Sequence, residues 1–365
     1  MRNFEKYSET GLLKEMLRKI STYQDKVKIM EVCGTHTRAF SRSGIQDILP
    51  ENITLISGPG CPVCVTTQAY IDTAIELAAK DKVIIATFAD LLRVPGRMGS
   101  LGQKKAAGGE IRLVNSPLEA VKIAEENSDY ELVFLAVGFE TTAPLIALSI
   151  MEAEELNLEN YSLLLSIKTM PPVIEELLLD KDLQIDAFIC PGHVSTIIGS
   201  RPFHFIAEKY RVPAVIAGFE RVDIILALAG ILEMIKSGNI QLENLYQRVV
   251  NTHGNHRAKD VINQVFEPVD SRWRGMGVIK GSGLGLNDRY KRFDAAGKYE
   301  LHNLLESKEE KIDLNCCCGD IIKGKKSPLD CKLFSSPCTP TNPKGPCMVS
   351  EEGSCNIFYE YRKRR

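Results

Sequence analysis

The chain has 365 residues, of which 44% are hydrophobic and 25% charged. That balance belongs to a globular protein of two or three domains and excludes a disordered, collagenous or coiled-coil chain. Its 45 basic and 47 acidic residues leave a formal charge of −2, so neither nucleic acid nor an anionic membrane is expected as a partner. The opening stretch, MRNFEKYSETGLLKEMLRKI, scatters charge and has no apolar h-region, so it is not read as a signal peptide. The longest apolar run, 224–235, contains Glu233 and is shorter than the ~20 residues that a bilayer span needs. A cytoplasmic location is therefore expected. The 11 cysteines are the anomaly, and in a reducing compartment they point to metal binding or redox chemistry rather than structural disulfides.

Residues 1–30 read as an N-terminal helical segment. Continuous apolar runs then alternate with helical stretches. The runs at 53–57 (ITLIS), 83–88 (VIIATF), 111–114 and 132–137 (LVFLAV) suit parallel strands covered on both faces. Ile71, Ala74, Ile75 and Ala78 recur at helical spacing, and Ser116-Pro117-Leu118-Glu119 reads as a capping box with proline at the first helical position. Further strands are expected at 161–167, 187–190 and 214–217. Such alternation predicts an α/β layer fold with right-handed crossovers. The pattern also echoes itself. Pro59-Gly60-Cys61 precedes Phe88 much as Pro191-Gly192-His193 precedes Phe219, and Gly-Phe-Glu occurs at 138–140 and 218–220. The expectation is two similar parallel-sheet α/β domains, at 31–150 and 151–255.

Regular signals thin out in 256–365, where glycines cluster between Trp273 and Arg292. The stretch 316–355 holds seven cysteines and five prolines, a proline density that excludes regular helix or central strand. A small irregular domain ordered by a metal centre is expected.

Three groups of residues carry the chemistry. The first is the tail set Cys316, Cys317, Cys318, Cys331, Cys338, Cys347 and Cys355. No C-x2-C knuckle of the structural zinc type occurs among them. Long, unequal gaps wrapped by proline and glycine suit an iron–sulfur cluster, though spacing alone does not choose four ligands from seven thiols, and a zinc-stabilised tail is the competing reading. The second is Gly58-Pro59-Gly60-Cys61-Pro62-Val63-Cys64, a C-x-x-C at a strand-to-helix turn. Ligand sites of open α/β sheets lie there, and a helix N-terminus favours a thiolate. Cys61 and Cys64 read as a redox dithiol or a pair of metal thiolates. In the third, Glu31-Val32-Cys33-Gly34-Thr35-His36-Thr37, His36 could take the thiol proton of Cys33, and Thr35 and Thr37 could donate to an anionic ligand. Glu140 and Glu220 sit at matching strand ends, and Cys190, His193 and Ser195 lie at another. With no P-loop and no strand-anchored G-x-G-x-x-G, neither ATP nor NAD is expected.

Taken jointly, Cys-Gly-Thr-His-Thr (33–37), Gly-Pro-Gly-Cys-Pro-Val-Cys (58–64), Gly-Phe-Glu-Thr-Thr (138–142), Pro-Gly-His-Val-Ser (191–195) and the cysteine tail resemble the HypD family of nickel–iron hydrogenase maturation factors. The resemblance spans nearly the whole chain. It implies two α/β domains of similar topology and a third domain holding a 4Fe–4S cluster. The family's C-x14-C-x6-C-x16-C spacing falls on Cys316, Cys331, Cys338 and Cys355, and Cys318 and Cys347 match its redox dithiol. The family usually has a non-cysteine where Cys317 stands. The resemblance also implies an assembly scaffold rather than a conventional turnover enzyme. An iron carrying two cyanides and a carbonyl, Fe(CN)2CO, would be held with a small HypC-type chaperone, and a HypE-type protein supplied by HypF would deliver the cyanide. Cys33, Cys61 and Cys64 are the positions implied for that iron. Soft thiolates suit low-spin iron, and Thr35 or His36 could bond a cyanide nitrogen. Glu140 and His193, from the other shared motifs, are carried with Thr35 and Thr37 as cofactor-binding candidates. An iron–sulfur thiol–disulfide oxidoreductase is the alternative function.

Overall fold

The computed structural model describes residues 9–306 and 315–362. In chain order its strands are β1 (Val27–Glu31), β2 (Ile53–Ser57), β3 (Val83–Thr87), β4 (Ile111–Leu113), β5 (Glu131–Gly138), β6 (Tyr161–Lys168), β7 (Ala187–Cys190), β8 (Ala214–Ile216), β9 (Leu242–Asn244), β10 (Phe266–Trp273) and β11 (Gly277–Leu286). They form a five-stranded parallel sheet, β2-β1-β7-β8-β9, and a six-stranded sheet, β10-β11-β6-β5-β3-β4. In the second, β3 to β6 are parallel and the β10–β11 hairpin adds antiparallel to β6. Counted by order of appearance within each sheet, the parallel strands run 2-1-3-4-5 in the first and 2-1-3-4 in the second, so the two α/β units share a topology over four strands.

The units are interleaved rather than consecutive. β3 to β6 are inserted between β2 and β7, so sheet membership does not follow the 31–150 and 151–255 ranges. Both Pro-Gly turns serve the five-stranded sheet, whereas the two Gly-Phe-Glu triplets divide between the sheets. In the N-terminal segment, Glu9–Ser21 is a helix packed against helix Arg221–Ser237, but Val27–Glu31 is already a strand at the heart of the first sheet. Residues 1–8 lie outside the described residues.

Burial explains the continuous apolar runs. Successive strand residues point to opposite faces. Val133, Leu135 and Val137 enter one core while Leu132, Phe134 and Ala136 enter another. In the first sheet, Met30, Phe188 and Ile216 face the same core as Val133, and Ile29, Ile189 and Val215 face a third. The core that the two sheets share also contains Cys61, Cys64, Cys318, Cys338, Cys347 and Cys355. The tail is thus packed against both units.

Two local expectations are corrected. The glycine-rich stretch after Trp273 is not irregular but forms the long strand β11. A Cβ on Gly283 would sit 2.7 Å from the Ser271 Cβ and one on Gly285 2.8 Å from a Val269 methyl, so glycine permits the close cross-strand approach. The helix Pro117–Glu126 starts where expected, with the Ser116 hydroxyl accepting from the Leu118 N–H at 3.3 Å, but the Glu119 carboxylate accepts from the Asn115 N–H (2.9 Å), one residue earlier than a capping box places it. Among the described residues no helix is long and apolar enough to cross a membrane.

Candidate functional site

In the five-stranded sheet the chain leaves β1 toward one side for β2 and returns on the other side at β7. The crevice at the carboxyl ends of these strands is a topological switch point, where open α/β sheets bind ligands. Cys33 emerges there from β1, and Pro191-Gly192-His193 emerges from β7, with the Val32 N–H donating to the Ile189 carbonyl (3.3 Å) across the gap. The Gly58–Cys61 turn from β2 closes on the same place. The Gly34 N–H donates to the Gly60 carbonyl at 3.1 Å, and a Cβ on Gly60 would fall 2.5 Å from the Cys33 nitrogen. Only glycine allows that contact between two main chains.

Cys33 caps the helix Gly34–Ser43 in an extended conformation, with its side chain free of any capping bond. It is 6% exposed, and burial pushes its thiol up to about 12, with Glu352 and Glu31 adding to the effect. The Glu31 carboxyl, 3% exposed at the end of β1, accepts from the Cys33 N–H (3.2 Å) through Oε2 and from the Thr37 hydroxyl through Oε1. Burial raises Glu31 to about 8. The Thr35 hydroxyl donates to Glu352 Oε1 at 2.9 Å. Both threonines therefore donate to carboxyl groups of the chain itself.

His36 is fully buried, and its Nε2 lies 3.2 Å from the Ala217 carbonyl and 3.0 Å from that of Gly218. Two acceptors at one nitrogen place the proton on Nε2. Burial lowers the imidazole to about 4, and Nδ1 finds no partner among the described residues. This is a neutral clamp between the Cys33 helix and the β8 loop, poorly suited to drawing a proton from a thiol. The Phe219 ring packs on His36 (4.6 Å between centroids) and on His193 (4.1 Å), so His193 joins the group through that ring.

Cys61 and Cys64 are joined in a disulfide, with Cα atoms 5.2 Å apart. Cys61 caps the short helix Pro62–Val65, and its sulfur accepts from the Cys64 N–H at 3.1 Å. As a disulfide the pair offers no thiolate to a metal, which separates it chemically from Cys33. The helix packs against Cys318–Ile322, which carries Cys318, and against Pro346–Val349, which carries Cys347.

In the tail, Cys316, Cys318, Cys331, Cys338 and Cys355 line one small cavity of about 10 Å³ together with apolar side chains and Gly345. Four of the five are the set implied by the family spacing. Cys318 lies close enough to Cys316 and Cys347, and Cys347 to Cys355, for their thiols to perturb one another. Cys317 does not line the cavity; its sulfur lies 4.0 Å from Lys326 Nζ. Among the described residues, no three His, Cys, Asp or Glu side chains converge closely enough to hold a single metal ion.

Glu140 stands apart, at the end of β5 in the other sheet. Its Oε1 accepts from the Met170 N–H (2.8 Å) at the start of helix Met170–Leu179, and its Oε2 has no partner among the described residues. Burial raises it to about 7. Glu220 caps helix Arg221–Ser237 with Asp223. Cys190 and Ser195 are wholly buried, and the Ser195 hydroxyl donates to the Pro191 carbonyl (2.8 Å). Sequence reasoning placed Glu31 in the Cys33 motif without giving it a role, and missed Glu352 and Phe219 as members of the group. The only local signal was a carboxylate closing the buried run VKIM; the approach of Glu352, 317 residues from its partner Thr35, leaves none.

Fold and site together define a two-sheet α/β protein in which a buried strand-end thiol, a disulfide and a cysteine-lined cavity border one core. The profile of the HypD family, described as hydrogenase formation hypA family, matches residues 10–362. A Methanocaldococcus jannaschii protein whose name assigns it to hydrogenase expression/formation is 47% identical over 359 residues, covering 98% of this chain and 99% of its own length. Hydrogenase maturation factor HypD2 of Bradyrhizobium diazoefficiens is 43% identical, covering 93% of this chain and 90% of its own. HypD of Escherichia coli is 41% identical, with 94% and 91% covered. The chain belongs to the HypD family of hydrogenase maturation factors.

Proposed function

We propose that this protein is the scaffold on which the Fe(CN)2CO group of nickel–iron hydrogenase is assembled, with Cys33 as the thiolate that holds the iron. The observation that carries the reading is the convergence of the Cys33 loop, the Cys61–Cys64 turn and the tail on one strand edge and one core. The iron is cargo. It arrives, gains its ligands and leaves, so the residues serve as an assembly site rather than a turnover site. HypC-type and HypE-type proteins, the latter supplied by HypF, are the proposed partners.

The cavity lined by Cys316, Cys331, Cys338 and Cys355 suits a 4Fe–4S cluster in its chemistry, since soft thiols face an apolar space. Such a cluster supplies electrons singly. The protein's own sulfurs handle them in pairs. If Cys318 and Cys347, whose thiols perturb one another, form a disulfide, they release two electrons and two protons. Those reduce the Cys61–Cys64 bond to two thiols across the helix contact.

The test is infrared spectroscopy of the protein purified with its small chaperone. Cyanide and carbonyl bands are expected, and they should vanish in Cys33→Ala; their persistence there refutes the assignment. Iron and zinc analysis with visible absorption tests the cavity, because zinc without a broad band near ~400 nm excludes the cluster. The formed disulfide favours one second reading, an oxidoreductase acting on protein disulfides. That activity would be abolished by Cys61→Ser and untouched by Cys33→Ser.

A further inference from the structure

We infer that Glu31 is the positioning residue of Cys33: a buried carboxyl group that fixes the angle between strand β1 and the Cys33 helix and so sets where the thiol stands. The inference rests on the scaffold reading only for what the thiol finally holds; the geometry stands without it. A carboxyl group 3% exposed at the end of a buried strand is costly unless its oxygens are bonded. Two of the bonds it makes are to the loop in question. Oε2 takes the N–H of Cys33, two residues on, which follows the last paired strand position and precedes the helix ladder. Oε1 takes the hydroxyl of Thr37, six residues on, in the first turns of the helix. The Ser57 hydroxyl, at the end of β2, also reaches this carboxyl. The Glu31 backbone carbonyl in addition accepts from the Gly58 N–H at 2.7 Å. One residue thereby ties the strand, the Cys33 main chain, the helix and the neighbouring turn.

The isosteric glutamine at this position cannot do the same. A carboxyl group offers acceptor sites on both oxygens, whereas the amide of glutamine has one oxygen and one NH2 group. In Glu31→Gln the NH2 must therefore face either the Cys33 N–H or the Thr37 hydroxyl. Facing Cys33 it sets donor against donor. Facing Thr37 it is satisfied only if that hydroxyl turns to accept.

The experiment is alkylation by iodoacetamide of the full chain, followed by peptide mass spectrometry, at mildly alkaline pH. In the native chain Cys33 should label slowly. In Glu31→Gln and in Thr37→Val its labelling should accelerate roughly fivefold, the factor corresponding to one net hydrogen bond, and the double variant should be no faster than either single one. Cys190, wholly buried on the adjacent strand, is the internal control and should stay unlabelled. Cys33 rates within twofold of the native chain in both single variants overturn the inference. So does equal acceleration at Cys33 and Cys190, which marks general loosening, and so do additive effects in the double variant. If Glu31→Gln does not fold, the Thr37→Val rate decides alone. No iron is needed for any of these readings. Absence of cyanide and carbonyl bands from the native complex therefore counts against the scaffold and leaves the alkylation result standing.

Discussion

His36 gives the sharpest test of the site's electrostatics. Buried against two carbonyl oxygens, it has an acid constant of about 4 against 6.5 when solvated. Between those values the unfolded chain binds the proton and the folded chain refuses it. The stability that His36 contributes is therefore complete above pH 6.5 and is lost as pH falls toward the folded value. The full gap corresponds to about 3 kcal/mol, of which about 2.5 is gone by about pH 4.5. Glu31 works in the opposite sense. Raised from 4.5 to about 8, it stabilises fully below 4.5 and loses its contribution as pH rises through about 8. The wild-type profile mixes the two, so the measurement is a difference. Denaturant unfolding of the native chain and of His36→Gln should be compared from neutral pH downward. Glutamine loses the ring packing on Phe219, so the variant starts less stable, but it has no proton to take up. Its deficit should shrink by about 2.5 kcal/mol on going to about pH 4.5, while the Glu31 contribution cancels. A deficit that stays constant across that range refutes the neutral, carbonyl-bound imidazole.

Other expectations follow from sulfur and glycine. Nine cysteines are free and two are joined, so metal-free protein unfolded without reductant should react with a thiol reagent at nine positions, and after reduction at all 11; eleven without reductant would refute the Cys61–Cys64 bond. Gly60→Ala drives a methyl against the Cys33 main chain, which cannot swing away as a side chain could, and should cost about 1–3 kcal/mol in denaturant unfolding. A loss below about 0.5 kcal/mol, the usual surface effect, would mean the two loops do not meet this closely. Gly345→Ala places a methyl 2.6 Å from the Cys318 sulfur and 3.2 Å from that of Cys316, so bound iron and visible absorption should fall while the fold, followed by circular dichroism, is retained. Full iron content in that variant would refute the proposal that this cavity holds a cluster.

Much of the fold was legible because parallel strands buried on two faces write themselves as continuous apolar runs. The runs at 53–57 and 187–190 coincide with strands, and the other five end within a residue of them. β1 was missed because Lys28 and Glu31 interrupt its run, although Glu31 is the residue on which the Cys33 loop rests. The β10–β11 hairpin was missed because glycine, a breaker in isolation, is there required by a neighbouring strand. Which sheet a strand joins is not a local property at all. Nothing near residue 57 states that the next strand to pair beside β1 comes 130 residues later. The cysteine motifs were legible individually, since each sits at a turn with a recognisable reason for proline or glycine. The carboxyl groups around Cys33 were not, because Glu352 meets Thr35 only through the folded tail.

The interleaved topology gives that tail its importance. Pro62–Val65, Cys318–Ile322 and Pro346–Val349 have four, five and four residues, far too few to hold helical structure alone. Each persists because the others pack against it and because the core between the two sheets receives Val63, Val65, Ile321, Ile322, Met348 and Val349 together. The helix Ser354–Arg362 then lies against Gly34–Ser43, with Arg38 bonded to Glu351 at 2.6 Å and Ser350 to Asp90 at 3.2 Å. The same run, 346–355, supplies Cys347, the Glu352 that meets Thr35, and Cys355 of the cavity. A displacement there is therefore felt at three places: the cavity wall, the disulfide helix and the Cys33 loop. Close-packed interiors transmit such shifts rather than absorb them. The mechanical link between the cavity wall, the disulfide helix and the Cys33 loop is thus one ten-residue span of chain, which carries two of the tail's cysteines and packs at the junction of the two sheets.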